Sequence, residues 1–379
     1  MQPVSRPLLS LLIPTRERAA TLAFTLATAL EQKSPNRDYE IIVSDNMSGD
    51  DTRAVAERAL DSRVRYVNTG RRLSMCGNYE FALSHALGDY VLFIGDDDAV
   101  VPGAVDFLIA RLRTQQEPII HRWPLHTYDW PVGDGRGRAA YLASAYPQTE
   151  IDLKQKALFV IRHGGWRYYE LPSPYHAAIP RRLLDEIRSR TGIVFHSTQP
   201  DVFTAMALPA LADRAIDLGV CISFNGRSPH SNGLGFVNKS AKANIDRFLR
   251  EYGDYRLHPT LFPKVPAAAN MIPDAILLAR DMFPELYGKT VFNYEAMWAF
   301  SCRHRFVSHL DVLSKTAEIR EYHRFNAGRF ILSAALQEGA ALRRKLLDWL
   351  MLPKGSAAAP DDILMFAKML ASRSGLDGG

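Results

Sequence analysis

The sequence has few of the features that mark secreted or membrane-spanning proteins. It holds three cysteines in 379 residues, Cys76, Cys221 and Cys302. Their odd number and wide spacing fit neither a disulfide framework nor a zinc site. No apolar run approaches the roughly 18 residues that a membrane-spanning helix needs. The short apolar stretch near the start ends at Pro14 without the cleavage site of a signal peptide. We therefore expect a protein of a reduced, cytoplasmic compartment.

A strong charge of one sign is also missing. The 46 basic and 41 acidic residues give a formal net charge of +5, and the basic residues are scattered among the acidic ones. Nucleic-acid-binding domains usually gather their basic residues in one stripe, so we expect no nucleic-acid partner. A hydrophobic fraction of 47% is typical of a folded globular chain, and 379 residues exceed one ordinary core.

The first 115 residues alternate strand and helix patterns. Short apolar runs predict buried strands, and most are followed by a helical pattern. The predicted strands are 8–13, 40–44, 64–67 and 90–94. Strands separated by single helices imply parallel βαβ units with helices on both faces of the sheet. In such sheets ligands bind at the carboxyl ends of the strands.

Later elements are less regular. We predict helices over 151–163 and 181–190 and a strand over 218–224, and Asn78 is expected to cap a helix that runs to Leu87.

The pattern changes near residue 238. Strand signals disappear, and amphipathic helical patterns continue to about residue 370. We predict an α/β domain over 1–238 and a helical region over 239–379. Within the latter, 340–352 joins three basic residues at 343–345 to an apolar run that contains Trp349. Such a helix can lie on an anionic membrane surface or pack against its own domain or a second subunit.

Three adjacent carboxylates follow the fourth predicted strand. Asp96, Asp97 and Asp98 repel one another, so the cluster is costly unless it is solvated or meets a cation. Hard oxygen ligands at a strand end suit Mg²⁺ or Mn²⁺ that carries a diphosphate. A solvated acidic loop before the helix at Pro102 is the alternative.

Two further polar segments end strands at the same edge. One runs through Pro14, Thr15 and Arg16 to Arg18, where the Pro-Thr turn would let a nucleotide lie over the strand end. The other contains Asp45, whose carboxylate would accept a hydrogen bond from a base N–H. Taken singly, each segment is also explained as a turn before a helix N-cap.

Together these segments resemble glycosyltransferase family 2, the nucleotide-sugar transferases of the GT-A fold. The resemblance covers about residues 8–112. It departs at Arg16-Glu17, where the family often has Tyr-Asn. Cys76 stands near a position that is often basic in the family, and Arg71 and Arg72 are nearby candidates to neutralise a diphosphate.

The resemblance implies inverting transfer of a sugar from a nucleoside-diphosphate donor to an acceptor hydroxyl. It also implies a metal ion at Asp96 and Asp98. The implied donor contacts are Pro14, Thr15, Arg16, Arg18, Asp45, Asn78, Asp96 and Asp97.

The second half of the predicted α/β domain resembles the family less closely. The family places its catalytic acid at a helix start after the acidic motif, and Asp201 stands at a comparable point, where it could take the acceptor proton. An N-cap role is the alternative. In the resembling enzymes a histidine of a late loop can complete the metal shell. His230 could do so here, with Arg227 near the diphosphate; an exposed and idle histidine is the alternative.

Two more residues are candidates for contact with the donor sugar or the acceptor. His176 follows a proline-rich turn, and Trp166 stands in an aromatic segment with Tyr168 and Tyr169. Aromatic faces are common in carbohydrate sites, and ring packing beneath a loop is the alternative.

The expected partners follow from the resemblance. They are a nucleoside-diphosphate sugar, Mn²⁺ or Mg²⁺, and a carbohydrate, lipid-linked or protein-linked acceptor. A homodimer or peripheral contact with the inner face of the membrane through the C-terminal helices is also considered. Two other functions are open. A nucleotidyltransferase would prefer a glycine-rich first loop, which 14–16 lacks. An inactive nucleotide-sugar-binding scaffold is disfavoured by the retained carboxylates.

Overall fold

The fold is built on two β-sheets in a computed structural model that describes residues 6–34, 38–131, 138–141, 145–229, 248–351, 362–374 and 376. The strands are β1 (Leu9–Thr15), β2 (Tyr39–Asp45), β3 (Val64–Asn68), β4 (Tyr90–Phe93), β5 (Ala99–Val100), β6 (Ile120–Arg122), β7 (Thr127–Asp129), β8 (Arg138–Tyr141), β9 (Thr149–Asp152), β10 (Ala177–Pro180), β11 (Arg214–Asp217) and β12 (Ser223–Arg227). The large sheet has the order β3-β2-β1-β4-β10-β6-β11-β9, and the small one has the order β5-β12-β7-β8.

Strands β1 to β4 form the parallel half of the large sheet. β1 pairs in parallel with both β2 and β4, and β2 pairs in parallel with β3. The chain order therefore reverses between β1 and β4, which is where such sheets open a crevice for ligands. The four predicted strands are confirmed, with ends that differ by at most two residues.

Successive side chains of these strands point to opposite faces of the sheet, and both faces are buried. On β1, Leu12 belongs to one hydrophobic core, whereas Leu11 and Ile13 belong to a second. All three are fully buried, and burying a side chain of this size contributes about 1.5–3 kcal/mol. Because both faces are covered, the strands read as continuous apolar runs in the sequence.

Helices cover both faces of the sheet. They are α1 (Ala19–Leu30), α2 (Thr52–Arg58), α3 (Met75–His85), α4 (Ala104–Arg113), α5 (Leu153–Arg162), α6 (Arg181–Thr191), α7 (Pro200–Ala207), α8 (Ala268–Met282), α9 (Pro284–Tyr287), α10 (Tyr294–Arg303), α11 (His309–Ser314), α12 (Thr316–Ile319), α13 (Ala327–Met351) and α14 (Ile363–Ser374). Within the described ranges, none of these helices has the length and apolar character that crossing a membrane requires.

The C-terminal helices share the cores of the α/β part. Ile276 of α8, Trp298 of α10 and Phe330 of α13 belong to the core on one face of the sheet. Phe366 of α14 belongs to the core on the other face, where it stacks on Tyr128 with ring centroids 5.6 Å apart. The helical region therefore packs on the sheet, and its predicted start at residue 239 lies outside the described residues.

Asn78 does not cap a helix as predicted. Helix α3 begins at Met75, and the cap is Ser74, whose hydroxyl accepts a hydrogen bond from the Gly77 amide at 3.2 Å. Serine and asparagine are about equally good N-caps, so residue type alone could not separate the two positions. Asn78 lies inside the first turns, where its side chain turns toward β2.

Two other predicted elements start later than expected. The predicted strand at 218–224 is replaced by β12 because Gly219 adopts a left-handed conformation with φ of 68°. A Cβ there would lie 1.8 Å from the carbonyl oxygen of Tyr146, so the chain turns at this point. The helix predicted at 151–163 loses its first residues to β9 and begins at Leu153, capped by the Asp152 side chain.

Candidate active site

A cleft of about 570 Å³ opens beside the carboxyl ends of β1 and β4. It is lined by Pro14, Thr15, Arg16, Arg18, Asn46, Met75, Asn78, Tyr79, Gly95, Asp96, Asp97, Tyr168, Tyr175, Gln199, Asp201, Asn225, Gly226, Arg227, Phe248 and Glu251. The structure thus brings together in one cleft most of the residues that the sequence predicts for the site. The predicted residues that line it are Pro14, Thr15, Arg16, Arg18, Asn78, Asp96, Asp97, Asp201 and Arg227.

The turn after β1 forms one wall of the cleft. The Arg16 backbone N–H donates to the Asp96 carboxylate at 3.4 Å, and the Arg16 guanidinium pairs with Glu251 at 2.6 Å. Arg18 donates to the Ser228 hydroxyl at 3.0 Å. These bonds join the first strand to the acidic motif and to two segments that come much later in the chain.

Asp96 and Asp97 present adjacent carboxylates to the cleft. Burial and the Asp97 charge raise the pKa of Asp96 to about 7, while Arg18 opposes this shift. The Asp97 carboxylate accepts a hydrogen bond from the Ser228 amide at 3.1 Å. His230, a third predicted ligand, lies outside the described residues. Among the residues that are described, no three His, Cys, Asp or Glu side chains form a group that could hold a metal ion.

Asp98 points away from the cleft and anchors the turn from within. It is fully buried, and its carboxylate accepts hydrogen bonds from the Tyr175 hydroxyl at 2.6 Å and the Gly226 amide at 2.8 Å. His176 Nε2 lies 3.1 Å from the same carboxylate. These contacts occupy both carboxylate oxygens. The metal role of Asp98 stays a prediction, and Asp96 and Asp97 are the carboxylates of the motif that line the cleft in this structure.

The two candidates for sugar contact lie outside the cleft. His176 is 3% exposed, and its Nδ1 lies 2.8 Å from the Ser223 hydroxyl, so it supports the acidic turn from behind. Trp166 packs against His163, with ring centroids 6.3 Å apart. From the same aromatic segment, Tyr168 lines the cleft instead.

Asp45 is also withdrawn from the cleft. It is 1% exposed. Its carboxylate accepts hydrogen bonds from the Ser48 amide at 3.0 Å, the Tyr66 hydroxyl at 2.6 Å and the Asn68 amide group at 3.0 Å. The next residue, Asn46, does line the cleft. The base contact predicted for Asp45 stays a prediction, and Asn46 is the residue at the end of β2 that faces the cleft in this structure.

Asp201 lies in the cleft on the first turn of α7. Pro200 occupies the first helical position, where the missing N–H costs nothing. Burial raises the pKa of the Asp201 carboxylate, and no cation pairs with it in the part of the chain that the structure describes. Burial and the Asp201 charge raise the pKa of Tyr79 and Tyr168, which also line the cleft. A carboxylate of raised pKa in a cleft is suited to accept a proton.

Sequence reasoning missed the floor of the cleft. Gly226 of β12 lies so close to the acidic motif that a Cβ would be 1.6 Å from the Asp97 carbonyl oxygen. Tyr175 reaches both Asp98 and, at 3.4 Å, the Asn225 side chain. A glycine inside a strand signals a close backbone approach, but the strand predicted from the sequence ends at residue 224, so this signal became visible only once β12 was located at Ser223–Arg227.

The segment 248–258 was missed as well. Phe248 and Glu251 at its start line the cleft, and its end is fixed by the buried carboxylate of Asp274 on α8. That carboxylate accepts hydrogen bonds from the His258 amide at 2.8 Å and the Ser197 hydroxyl at 2.7 Å. Burial raises the pKa of Asp274 to about 6. Asp274 thereby ties this segment to the turn that precedes Asp201.

The first half of the chain resembles a known protein family in sequence. The sequence model described as glycosyl transferase family 2 matches residues 10–170. Over these residues the chain is similar to glycosyltransferase family 2. Its β1 turn, acidic motif and first four strands are all included in the match, whereas Asp201 and the C-terminal helices follow it.

Curated relatives match over a similar stretch. The GalNAc(5)-diNAcBac-PP-undecaprenol beta-1,3-glucosyltransferase of Campylobacter jejuni is 34% identical over 108 residues, which are 28% of this chain and 34% of the relative. The UDP-Glc:alpha-D-GlcNAc-diphosphoundecaprenol beta-1,3-glucosyltransferase WfgD of Escherichia coli is 25% identical over 105 residues, 28% of this chain and 41% of the relative. The chain spans about a third of the length of the first curated relatives it matches.

A solved structure extends the likeness to the whole fold. The structure of S. aureus TarS 1-349 in complex with UDP-GlcNAc matches with a TM-score of 0.52 and 15% identity, over 97% of this chain and 92% of that one. At this identity the likeness shows the fold alone. The predicted GT-A fold with its C-terminal helices is confirmed.

Proposed function

We propose that the protein transfers a sugar from a nucleoside-diphosphate donor to an acceptor hydroxyl, with inversion, and that Asp201 is the catalytic base. One observation carries the proposal: a single cleft joins the strand ends that resemble family 2 to the half-buried carboxylate of Asp201, which has no cationic partner among the described residues. The donor and the base that would activate its acceptor can therefore occupy the same space.

The donor side of the cleft fits a nucleotide diphosphate. Thr15, Asn46 and Asn78 offer polar groups at the ends of β1 and β2 and on α3. Arg18 and Arg227 place positive charge in the same wall, although the Arg227 guanidinium is 2.6 Å from Asp129. Guanidinium groups suit diphosphate oxygens because they can donate two parallel hydrogen bonds. We assign the base end to the region of Asp45 and Asn46 and the diphosphate to the arginines.

A divalent cation fits the pair Asp96 and Asp97. Adjacent carboxylates are hard oxygen ligands of the kind that Mn²⁺ and Mg²⁺ prefer. The pKa of Asp96 is raised because ionising both carboxylates without a nearby cation costs free energy. When bound, the ion would supply positive charge that stabilises the departing diphosphate.

The transfer is a single displacement in which Asp201 takes the proton of the acceptor hydroxyl. The acceptor oxygen forms the bond to the anomeric carbon while the bond from that carbon to the diphosphate oxygen breaks. The proton ends on the carboxylate, and the electron pair leaves with the diphosphate. Attack from the face opposite the leaving group inverts the carbon. Tyr79, Tyr168 and Phe248 surround this region with ring surface, which excludes water from the reacting atoms.

The acceptor class is proposed from the relatives. The names of the C. jejuni and E. coli relatives describe undecaprenol-linked sugars, and this supports a lipid-linked acceptor ahead of a free carbohydrate or a protein. We place the protein in the cytoplasm, peripheral to the inner face of the membrane. The three cysteines are all free and buried, which suits a reducing compartment. A homodimer through the C-terminal helices is the competing partner.

Two measurements test this function. The first is a thermal-shift panel of nucleoside-diphosphate sugars with Mn²⁺, in which the true donor at about 100 times its Kd stabilises the fold by about 2.7 kcal/mol. The second is release of nucleoside diphosphate with and without acceptor. We expect release that depends on Mn²⁺ or Mg²⁺ and that the acceptor accelerates.

Other outcomes identify the competing functions. A donor that binds without any turnover would indicate an inactive scaffold. Release of pyrophosphate from a nucleoside triphosphate would indicate a nucleotidyltransferase. Unchanged transfer in excess EDTA would contradict the metal assignment.

A further inference from the structure

Helix α13 is apolar on two opposite faces, and only one of them is covered. Phe330, Ala334 and Gln337 are buried against the rest of the fold. On the opposite side Ile331, Leu332, Leu336 and Leu342 are exposed to 56%, 59%, 65% and 66%. A surface helix of a globular protein normally has one apolar stripe and one polar face, so the second stripe has no role in the fold itself.

These four residues form a continuous surface, which we call the outer face of α13. Leu332 and Leu336 are one helical turn apart, and Ile331 and Leu342 are three turns apart beside them. Ala335 and Gly339 fill the space between with small side chains. Among the other described residues, Leu60 and Val291 stand outside helices, and Leu310 of α11 and Met365 of α14 are single large exposed apolar residues on their helices. Contiguous exposed apolar surface of this kind marks interaction sites.

The charges around the outer face are mostly positive. Arg329 and Arg343 are exposed near its two ends, and Glu338 is an exposed acid beside it. The helix continues through 344–351 with the sequence Arg-Lys-Leu-Leu-Asp-Trp-Leu-Met, so α13 carries four basic and two acidic residues, a net charge of +2. Leucine and tryptophan with flanking arginine and lysine are typical of helices that lie in a membrane interface.

We infer that the outer face of α13 docks on an anionic lipid surface. Its leucine and isoleucine side chains enter the boundary between headgroups and acyl chains, while the arginines meet lipid phosphates. The helix is already held to the protein by its buried side, so docking needs no unfolding. The inference goes beyond the transfer reaction, because lipid binding by this face requires neither donor nor acceptor.

A second copy of the chain fits the outer face less well. Two such faces packed together would bring the basic ends of both helices into one interface with a single acid, Glu338, on each side. Like charges in an interface oppose association, whereas an anionic bilayer offers negative charge over the whole surface. The charge pattern therefore favours lipid.

The test is cosedimentation of the full chain with vesicles of phosphatidylcholine that contain about 30% phosphatidylglycerol, compared with phosphatidylcholine alone. We expect binding to the anionic vesicles that weakens as salt rises. The double variant Leu332→Ser/Leu336→Ser should bind at least about tenfold more weakly, because a buried leucine is worth about one decade or more of partition coefficient. Arg343→Gln should weaken binding to the anionic vesicles by about fivefold.

The matched control is Leu60→Ser/Val291→Ser. These residues are 92% and 84% exposed but lie elsewhere, so this variant should bind vesicles within about twofold of the wild type. Equal loss of binding in both double variants would overturn the inference. So would a wild type that binds neither vesicle. Sedimentation equilibrium gives the third contrary result: a dimer that Leu332→Ser/Leu336→Ser dissociates, with no vesicle binding, would assign the outer face to a second copy.

Discussion

Replacing Asp201 with asparagine tests catalysis separately from folding. Asparagine keeps the shape of the side chain but cannot take a proton at neutral pH. We expect kcat to fall by about 10²-fold or more, the usual scale of general-base loss, which is about 3 kcal/mol of transition-state stabilisation. Donor affinity should stay within about twofold, because the donor side is built from other strand ends.

The structure predicts that the substitution leaves the free energy of unfolding nearly unchanged. Burial raises the pKa of Asp201 above its ordinary value, so the folded state disfavours the charged form, and this cost is present once the pH exceeds the unfolded pKa. The start of α7 offsets part of that cost, since a carboxylate near a helix N-terminus gains about 0.3–1 kcal/mol. Asn removes both contributions. The free energy of unfolding at pH 7 should therefore change by no more than about 1 kcal/mol, neutral or in the stabilising direction.

The assay pairs steady-state transfer with calorimetric donor binding and urea unfolding. Asp185→Asn is the control, because Asp185 of the surface helix α6 is 51% exposed and its only described partner is Arg188 at 3.3 Å. This control should retain wild-type kcat. The reasoning is refuted if Asp201→Asn keeps more than about a third of kcat. A parallel loss of donor binding and stability would instead give Asp201 a structural role.

Five further outcomes are expected, of which the second is the control for the first. Gly226→Ala should cost at least about 2 kcal/mol of unfolding free energy, since its Cβ would lie 1.6 Å from a carbonyl oxygen. Gly339→Ala, with nothing within 4 Å, should gain about 0.5–1 kcal/mol; urea melts that rank the two alike would contradict the close approach. Asp98→Asn should lose about 1–3 kcal/mol in the same melts, because one buried donor is left facing another, and unchanged stability would contradict its anchoring role. Calorimetric Mn²⁺ affinity should rise as pH passes about 7, because the ion competes with the proton on Asp96; a flat profile would argue against this ligand. The unfolding free energy of Asp274→Asn minus that of the wild type should increase by up to about 3 kcal/mol as the pH rises from about 4 to about 7, because the folded wild type, with a pKa of about 6, ionises Asp274 at a cost that the variant does not have. Denaturant melts of both proteins at the two pH values measure this change.

The parallel half of the fold could be predicted because its signals are local. Each strand from β1 to β4 is a short apolar run between polar turns, and each polar turn ends at the same edge. The order of strands and turns along the chain is therefore enough to place Thr15 near the acidic motif. Asp201 is predicted through the family resemblance and its helix start, and the cleft does contain it.

Side-chain direction could not be predicted in the same way. Asp97 and Asp98 are adjacent in an irregular turn, yet the first lines the cleft and the second turns inward to Tyr175 and Gly226. The donors that hold Asp98 lie far along the chain, so nothing local distinguishes the two acids. Asp45 turns inward for a similar reason, because the hydroxyl of Tyr66 that holds it comes from the neighbouring strand.

Contacts between segments that are distant along the chain could not be predicted from the sequence either. Arg16 and Glu251 are 235 positions apart and meet at 2.6 Å. Asp274 reads as an ordinary polar position in an amphipathic helix, although it is 1% exposed and accepts bonds from two separate segments. Such carboxylates carry no sequence signature, because the need for them arises only after the helices pack.

In the proposed site, aspartate has three different roles, and each role follows from the surroundings of the side chain. Asp98 is surrounded by donors that satisfy its charge, and it serves the structure. Asp96 has a second carboxylate beside it, which raises its pKa to about 7 and suits it to a cation. Asp201 is half-buried without a cationic partner among the described residues, so no positive charge opposes the rise of its pKa that desolvation causes. Protonation would remove the free-energy cost of the desolvated charge on Asp201, and the acceptor hydroxyl is the group that would supply the proton. The same environment that makes this aspartate a poor stabiliser of the fold is therefore what suits it to be the base.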